Sequence, residues 1–259
     1  MWSYQEYCDE VEVESGRFAA VAARADPGVR VPTCPEWTVA ELIDHHGRSQ
    51  RRVAQVVRTL ARQPVWSKDV DAGLPGDPAD YAAWFAQGVP ALLTALRGAD
   101  PDAPVWTNGV DGHVRYWARR ILYEAVVHRV DAELALGERP IIDPAAGVDG
   151  IDELLTNLQC FPWVAERLRE LEDPGGTVRL SAVDRDSEWL IVLAGGGFRF
   201  RRGSVLEAAA TGVPADVEVR GTAGGLLLLV YGRLAPDDPR FIVYGDAPLL
   251  ARWLTSCAF

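Results

Sequence analysis

The chain has 259 residues, 48% of them hydrophobic and 24% charged, a globular composition that excludes a disordered, collagen-like or disulfide-framework chain. Twenty-six basic residues face 37 acidic ones, a formal net charge of −11, and a surface this acidic repels a phosphate backbone, so nucleic acid is not the expected partner. The longest apolar run, residues 226–231, is too short for a membrane span. The N-terminal residues lack the basic-then-apolar pattern of a secretory signal, and the four cysteines form no C-x-x-C pair, so free thiols in a reducing cytoplasm are expected. Only one of the basic residues is a lysine, Lys68, an arginine bias that suggests a GC-rich genome.

Helix formers fill residues 4–25 until Asp26-Pro27-Gly28 stops them, and a loop with Pro32 and Pro35 follows over 29–37. Thr38 and Glu41 are spaced as a capping box, and Trp37 and Leu42 as a hydrophobic staple, which predicts a second helix from there to about residue 60–62. A Pro/Gly/Asp-rich connection, 64–78, leads to a third helix over 79–97. A further loop precedes a fourth over 114–136, closed by Gly137 and Pro140. Four helices joined in this way predict a four-helix bundle. Past residue 145 a helix over 151–171, interrupted near Pro162, is followed by short strands at 177–183, 188–194, 198–202, 216–220 and 241–244. Helices at 222–231 and 247–254 are expected to cover that sheet. The fold class is therefore α+β with two domains, an all-α bundle over 1–145 and a small α/β domain over 146–259.

The four histidines, His45, His46, His113 and His128, are few enough for their placement to inform. Glu124 and His128 lie four apart on the fourth helix and stack on one face with Trp117, Ile121, Ala132 and Ala135, a face expected to point inward. A carboxylate buried beside an imidazole needs compensation, and a divalent cation provides it. A histidine of the second helix supplies a third ligand, leaving coordination positions open as in a catalytic site. The plain alternative is an ordinary charge pair. Helical periodicity places His46 near the centre of the second helix's apolar arc and His45 at its edge, which leaves both open as ligand. His113, in a Gly-rich loop, reads as an exposed histidine.

The segment Cys34-Pro35-Glu36-Trp37-Thr38-Val39 through His45 resembles the motif that opens the second helix in the mycothiol-dependent maleylpyruvate isomerase family. Residues 119–132, around Glu124 and His128, resemble its second motif. Residues 221–233 and 243–246 are similar to its C-terminal domain. The resemblance implies a DinB-like metal-binding bundle followed by a sterol-carrier-protein-like domain. It implies His45, Glu124 and His128 as ligands of a divalent metal, usually zinc, with nickel, iron and manganese also compatible with these donors. It also implies mycothiol, an actinobacterial thiol, as cosubstrate, and Arg233 as a catalytic cation. Metal-bound thiolate would add to the double bond of a maleyl-type substrate, and rotation and elimination would return the trans isomer. The same thiolate serves thiol transfer. Here Tyr123 stands where the family often has histidine, and Asp44 and His46 flank His45. Asp131 is placed either to orient an imidazole or to pair with an arginine. No protein partner or membrane association is expected. Two rival readings are a metal–water hydrolase on the same bundle and a non-catalytic protein whose C-terminal unit carries an apolar ligand.

Overall fold

The computed structural model describes residues 2–170, 175–206 and 214–258. The chain divides into two compact units, Met1–Pro140 and Ile141–Phe259; the composition change used above lies a few residues later.

The first unit is built from α1 (Tyr4–Ala22), a short antiparallel hairpin of β1 (Arg30–Val31) and β2 (Cys34–Thr38), α2 (Val39–Thr59), α3 (Tyr81–Gly98) and α4 (Val114–Ala135). Each of α1 and α2 packs against both α3 and α4, giving a four-helix bundle. The capping box at α2 is present: the Glu41 amide donates to the Thr38 hydroxyl and the Thr38 amide to the Glu41 carboxylate. Between α1 and α2, where a loop was expected, the chain pairs with itself, Arg30 opposite Thr38 and Val31 opposite Cys34. Pro32 and Pro35 fall in the hairpin turn and beside it, so the prolines that suggested a loop punctuate a hairpin instead. Phe18, Val31, Leu42, Ile43, Trp84 and Phe85 form the core beneath it. Gly47, in mid-α2, lies under the Trp84 ring; a Cβ there would stand 2.1 Å from that ring.

The second unit opens with α5 (Pro144–Leu158) and α6 (Pro162–Glu170). Helix α5 starts seven residues earlier than expected. Asp143 caps it with Pro144 in the first turn. Gly147 lets α5 lie close against residues 223–224 of the same unit, its Cβ position being 2.6 Å from the Ala223–Gly224 backbone. Strands β3 (Gly175–Ala182), β4 (Ser187–Ala194), β5 (Gly197–Gly203), β6 (Val217–Gly221) and β7 (Ile242–Gly245) form one sheet in the order β5-β4-β3-β6-β7. Only β3 and β6 are parallel. Helices α7 (Ala223–Val230) and α8 (Ala247–Cys257) flank β7 in the chain. Val178, Leu180, Trp189, Ile191, Val217 and Val219 are buried on alternate strand positions with every residue of α7. Among the described residues no helix is long and apolar enough to cross a membrane.

Candidate metal centre

The capped start of α2 carries His45 into the second turn, and α4 stacks Glu124 and His128 one turn apart. Helices α2 and α4 pack together, and the three side chains meet: one ligand atom from each lies within 4.8 Å of the others. Glu124 Oε2 is 3.2 Å from His128 Nε2 and 4.0 Å from His45 Nε2. The imidazole rings of His45 and His128 stand nearly perpendicular with centroids 5.1 Å apart. Side-chain exposure falls from 43% at His45 to 21% at Glu124 and 7% at His128, so the cluster is open on the His45 side and closed behind. Among the described residues this is the one group of three or more His, Cys, Asp or Glu arranged to hold a metal ion.

Neighbouring groups fix the orientation of each ligand. The fully buried Asp131 carboxylate lies 3.0 Å from His128 Nδ1, which holds a proton on that nitrogen and turns Nε2 toward Glu124. The Thr33 hydroxyl in the hairpin turn donates to the other Asp131 oxygen at 2.6 Å, and the Cys34 thiol lies 4.0 Å away. Orienting an imidazole, one of the two roles open to Asp131 in the sequence, is seen here. The Trp37 ring on β2 packs against His45 with centroids 4.7 Å apart. Arg120, one turn before Glu124, donates to its second oxygen at 2.7 Å.

Burial opposes ionisation of Glu124, but Arg120 and the two histidines outweigh it and hold the carboxyl well below its usual range. His45 is pushed down to about 4, first by burial and then by the charge of His128. Burial also works against protonation of His128, yet its bonds to Asp131 and Glu124 raise it above 6.5. Without a cation, the close Glu124–His128 contact requires a proton between the two. A divalent ion replaces that proton, and two imidazoles with one carboxylate on an open edge are the donor set that suits it.

His46 enters the core behind the cluster, its ring centroid 5.5 Å from that of His128. It is fully buried, its ring packed between Phe18 and Phe85 at 5.0 and 4.9 Å, and neither ring nitrogen has a hydrogen-bond partner among the described residues. Burial drives its pKa well below 6.5. Periodicity thus located His46 correctly in the core, and the rim position belongs to His45. His113 precedes α4, half-buried and paired with Asp111 at 2.6 Å. Arg233 follows α7 in the second unit and donates to the Tyr231 carbonyl at 2.9 Å.

Sequence reasoning missed Thr33, Arg120 and Arg52 as neighbours of the cluster. Arg120 sits four residues before Glu124 and Arg52 seven after His45, so helical spacing carried a signal for both; Thr33 carried none. A groove of about 870 Å³ between α2 and α3, lined by Arg51, Arg58, Pro90 and Thr94 among others, contains no member of the cluster.

Residues 8–133 match the family model of the mycothiol maleylpyruvate isomerase N-terminal domain, and residues 146–252 that of the C-terminal domain of the same enzyme. Among solved structures, a mycothiol-dependent maleylpyruvate isomerase is similar at 15% identity with a TM-score of 0.64 over 95% of each chain. A variant of that isomerase carrying one histidine-to-alanine change is similar at 15% identity with a TM-score of 0.63 over the same shares. At this identity the structural likeness is one of fold. No curated protein matches the sequence. With both domain models matched in order, and together spanning most of its length, the chain belongs to the mycothiol-dependent maleylpyruvate isomerase family.

Proposed function

We propose that this protein is an enzyme that holds a divalent metal, zinc foremost, on His45, Glu124 and His128 and uses mycothiol to isomerise or thiolate a small unsaturated acid. The observation that carries this reading is the convergence of those three donors on an edge that is open at His45 and backed by Asp131. A divalent ion bound there supplies Lewis acidity, which lowers the pKa of a coordinated thiol and keeps it a thiolate at neutral pH. The chain does the rest. Asp131 holds the Nδ1 proton of His128 so that Nε2 is the donor atom. Trp37 fixes the His45 ring and shields one side of it from water. Arg120 neutralises the Glu124 oxygen turned from the histidines. Arg233 is the proposed cation for an anionic intermediate, supported by the family resemblance of the Gly232-Arg233 motif. The cytoplasm is the proposed compartment, supported by four scattered cysteines that form no disulfide among the described residues.

The test is metal content by mass spectrometry on untagged, chelator-free protein, with His45→Ala, His128→Ala and His46→Leu alongside. A single metal per chain, lost in the first two variants and kept in the third, is expected. Loss only with His46→Leu, or no zinc uptake by the parent protein, overturns the centre. Turnover without added mycothiol would point to the metal–water hydrolase. The apolar-ligand reading loses its motive, because Leu226, Leu227, Leu228, Leu229 and Val230 are all spent in the core of the second unit.

A further inference from the structure

Arg52 lies on α2 seven residues beyond His45, two turns along the same face and about 10 Å up the axis. Its guanidinium carbon sits 5.4 Å from the centre of the Trp117 ring, which stands seven residues before Glu124 on the facing α4. The two helices therefore present one continuous strip, with the metal cluster at one end and Arg52 over Trp117 at the other. The arginines around Arg52 are satisfied. Arg48 pairs with Asp44, Arg51 donates to the Trp84 carbonyl and stacks on its ring, and Arg120 pairs with Glu124. Arg52 is not. Its Nε is buried without an acceptor, and among the described residues its guanidinium has no hydrogen bond or ion pair. The groups whose charge reaches it are Glu124, already shared by Arg120 and two histidines, the Tyr116 phenol, and Arg120 itself, which repels it.

A half-buried guanidinium whose Nε is closed off from both water and acceptor costs stability, and a protein retains one where a ligand brings the anion. A guanidinium fork matches a carboxylate with two parallel hydrogen bonds, and the flat Trp117 face holds that fork in place. The charge count agrees. Two carboxylates, Glu124 and Asp131, two guanidiniums, Arg52 and Arg120, and a dication leave two positive charges in excess. One is met by a thiolate and the other by a carboxylate.

We infer that Arg52 is a specificity-determining residue that binds a carboxylate group of a small organic acid beside the metal cluster. This rests on the function proposed above. It assigns the anion-binding role to the bundle itself, in addition to any part played by Arg233.

Titration calorimetry with maleate, and with its uncharged dimethyl ester, tests this on zinc-loaded and zinc-free protein. Zinc affinity is measured separately by competition with a chromophoric chelator. The parent protein is expected to bind maleate and not the ester. Arg52→Gln should weaken maleate tenfold or more, Arg52→Lys less, and both should leave zinc affinity within twofold. Without ligand, Arg52→Met should melt no lower than the parent, because it removes a half-buried charge that no carboxylate meets; an arginine that merely supported the fold would melt lower when replaced. Equal maleate affinity in Arg52→Gln, no binding by the parent, or a parallel loss of zinc and maleate affinity overturns the assignment. If zinc does not bind the parent protein, the metal reading fails, and the maleate comparison on the zinc-free chain still decides Arg52. Arg52→Lys keeps the test valid if Arg52→Gln does not fold.

Discussion

His128 has an anion on each side of its ring, Asp131 at Nδ1 and Glu124 at Nε2, and the two play different parts. Asp131 is fully buried and is itself held by Thr33, so it cannot turn away. Removing its charge with Asp131→Asn weakens the grip on the Nδ1 proton and makes Nε2 a poorer donor. Zinc affinity should fall roughly ten- to a hundredfold, as expected for a group that orients a metal-bound histidine, with the circular dichroism spectrum kept. Unchanged affinity would make Asp131 a packing residue. At this scale the sequence was informative where chemistry and spacing coincide. Glu124 and His128 share a face because four residues make about one turn. It could not separate His45 from His46 by periodicity, because the cluster lies at the rim of the apolar arc and not at its centre. Thr33 was illegible, since only the folded hairpin brings it to Asp131.

Helices are set by their boundaries and by what they permit to cross them. The Thr38–Glu41 box fixed the start of α2, and this was readable because both partners are local. The hairpin ahead of it was not readable, since its strands are too short to show alternation, and Pro32 in its turn and Pro35 in its second strand read as loop. Gly47 is the element-scale weak point of the site. A methyl there would meet the Trp84 ring, whose indole N–H is tied to the Ala72 carbonyl at 2.8 Å and whose face carries Arg51. Gly47→Ala gains helix propensity of about 1 kcal/mol but forces a rigid ring to move. A net destabilisation of about 1–3 kcal/mol is expected in urea unfolding. Because His45 is two residues away, zinc affinity should fall as well. A more stable Gly47→Ala protein would mean that Trp84 can shift freely. In the second unit the first two turns of α5 were not legible, because Gly147 and Gly150 are poor helix formers and only the fold shows the Ala223–Gly224 backbone 2.6 Å from the Gly147 Cβ position.

Over the whole molecule the titrating groups pull stability in opposite directions. His45 and His46 have folded-state pKa values pushed below 6.5, to about 4 for His45, so the unfolded chain takes their protons first and the fold loses stability as pH falls below 6.5. His128 is raised, so its contribution is complete below 6.5 and is lost as pH rises through its folded value. Glu124 is depressed and contributes above 4.5, fading as pH falls through its own lowered value. Two histidines against one make the zinc-free protein less stable at pH 5 than at pH 7. Zinc must displace the His128 proton, so the rise in melting temperature that zinc brings should shrink from pH 7.5 to 5.5. A zinc increment independent of pH in that range would remove histidine from the ligand set.

The three donors also come from distant stretches of chain, His45 on α2 and Glu124 with His128 on α4, with α3 and both its flanking loops between them. An ion held by all three would tie off that entire segment, much as a crosslink does. Like a crosslink, it would draw its stabilising effect partly from the freedom it denies the unfolded chain. Where no cysteine of the described residues forms a disulfide, such a clasp takes a disulfide's place, and it opens with acid or a chelator where a disulfide opens with a reductant.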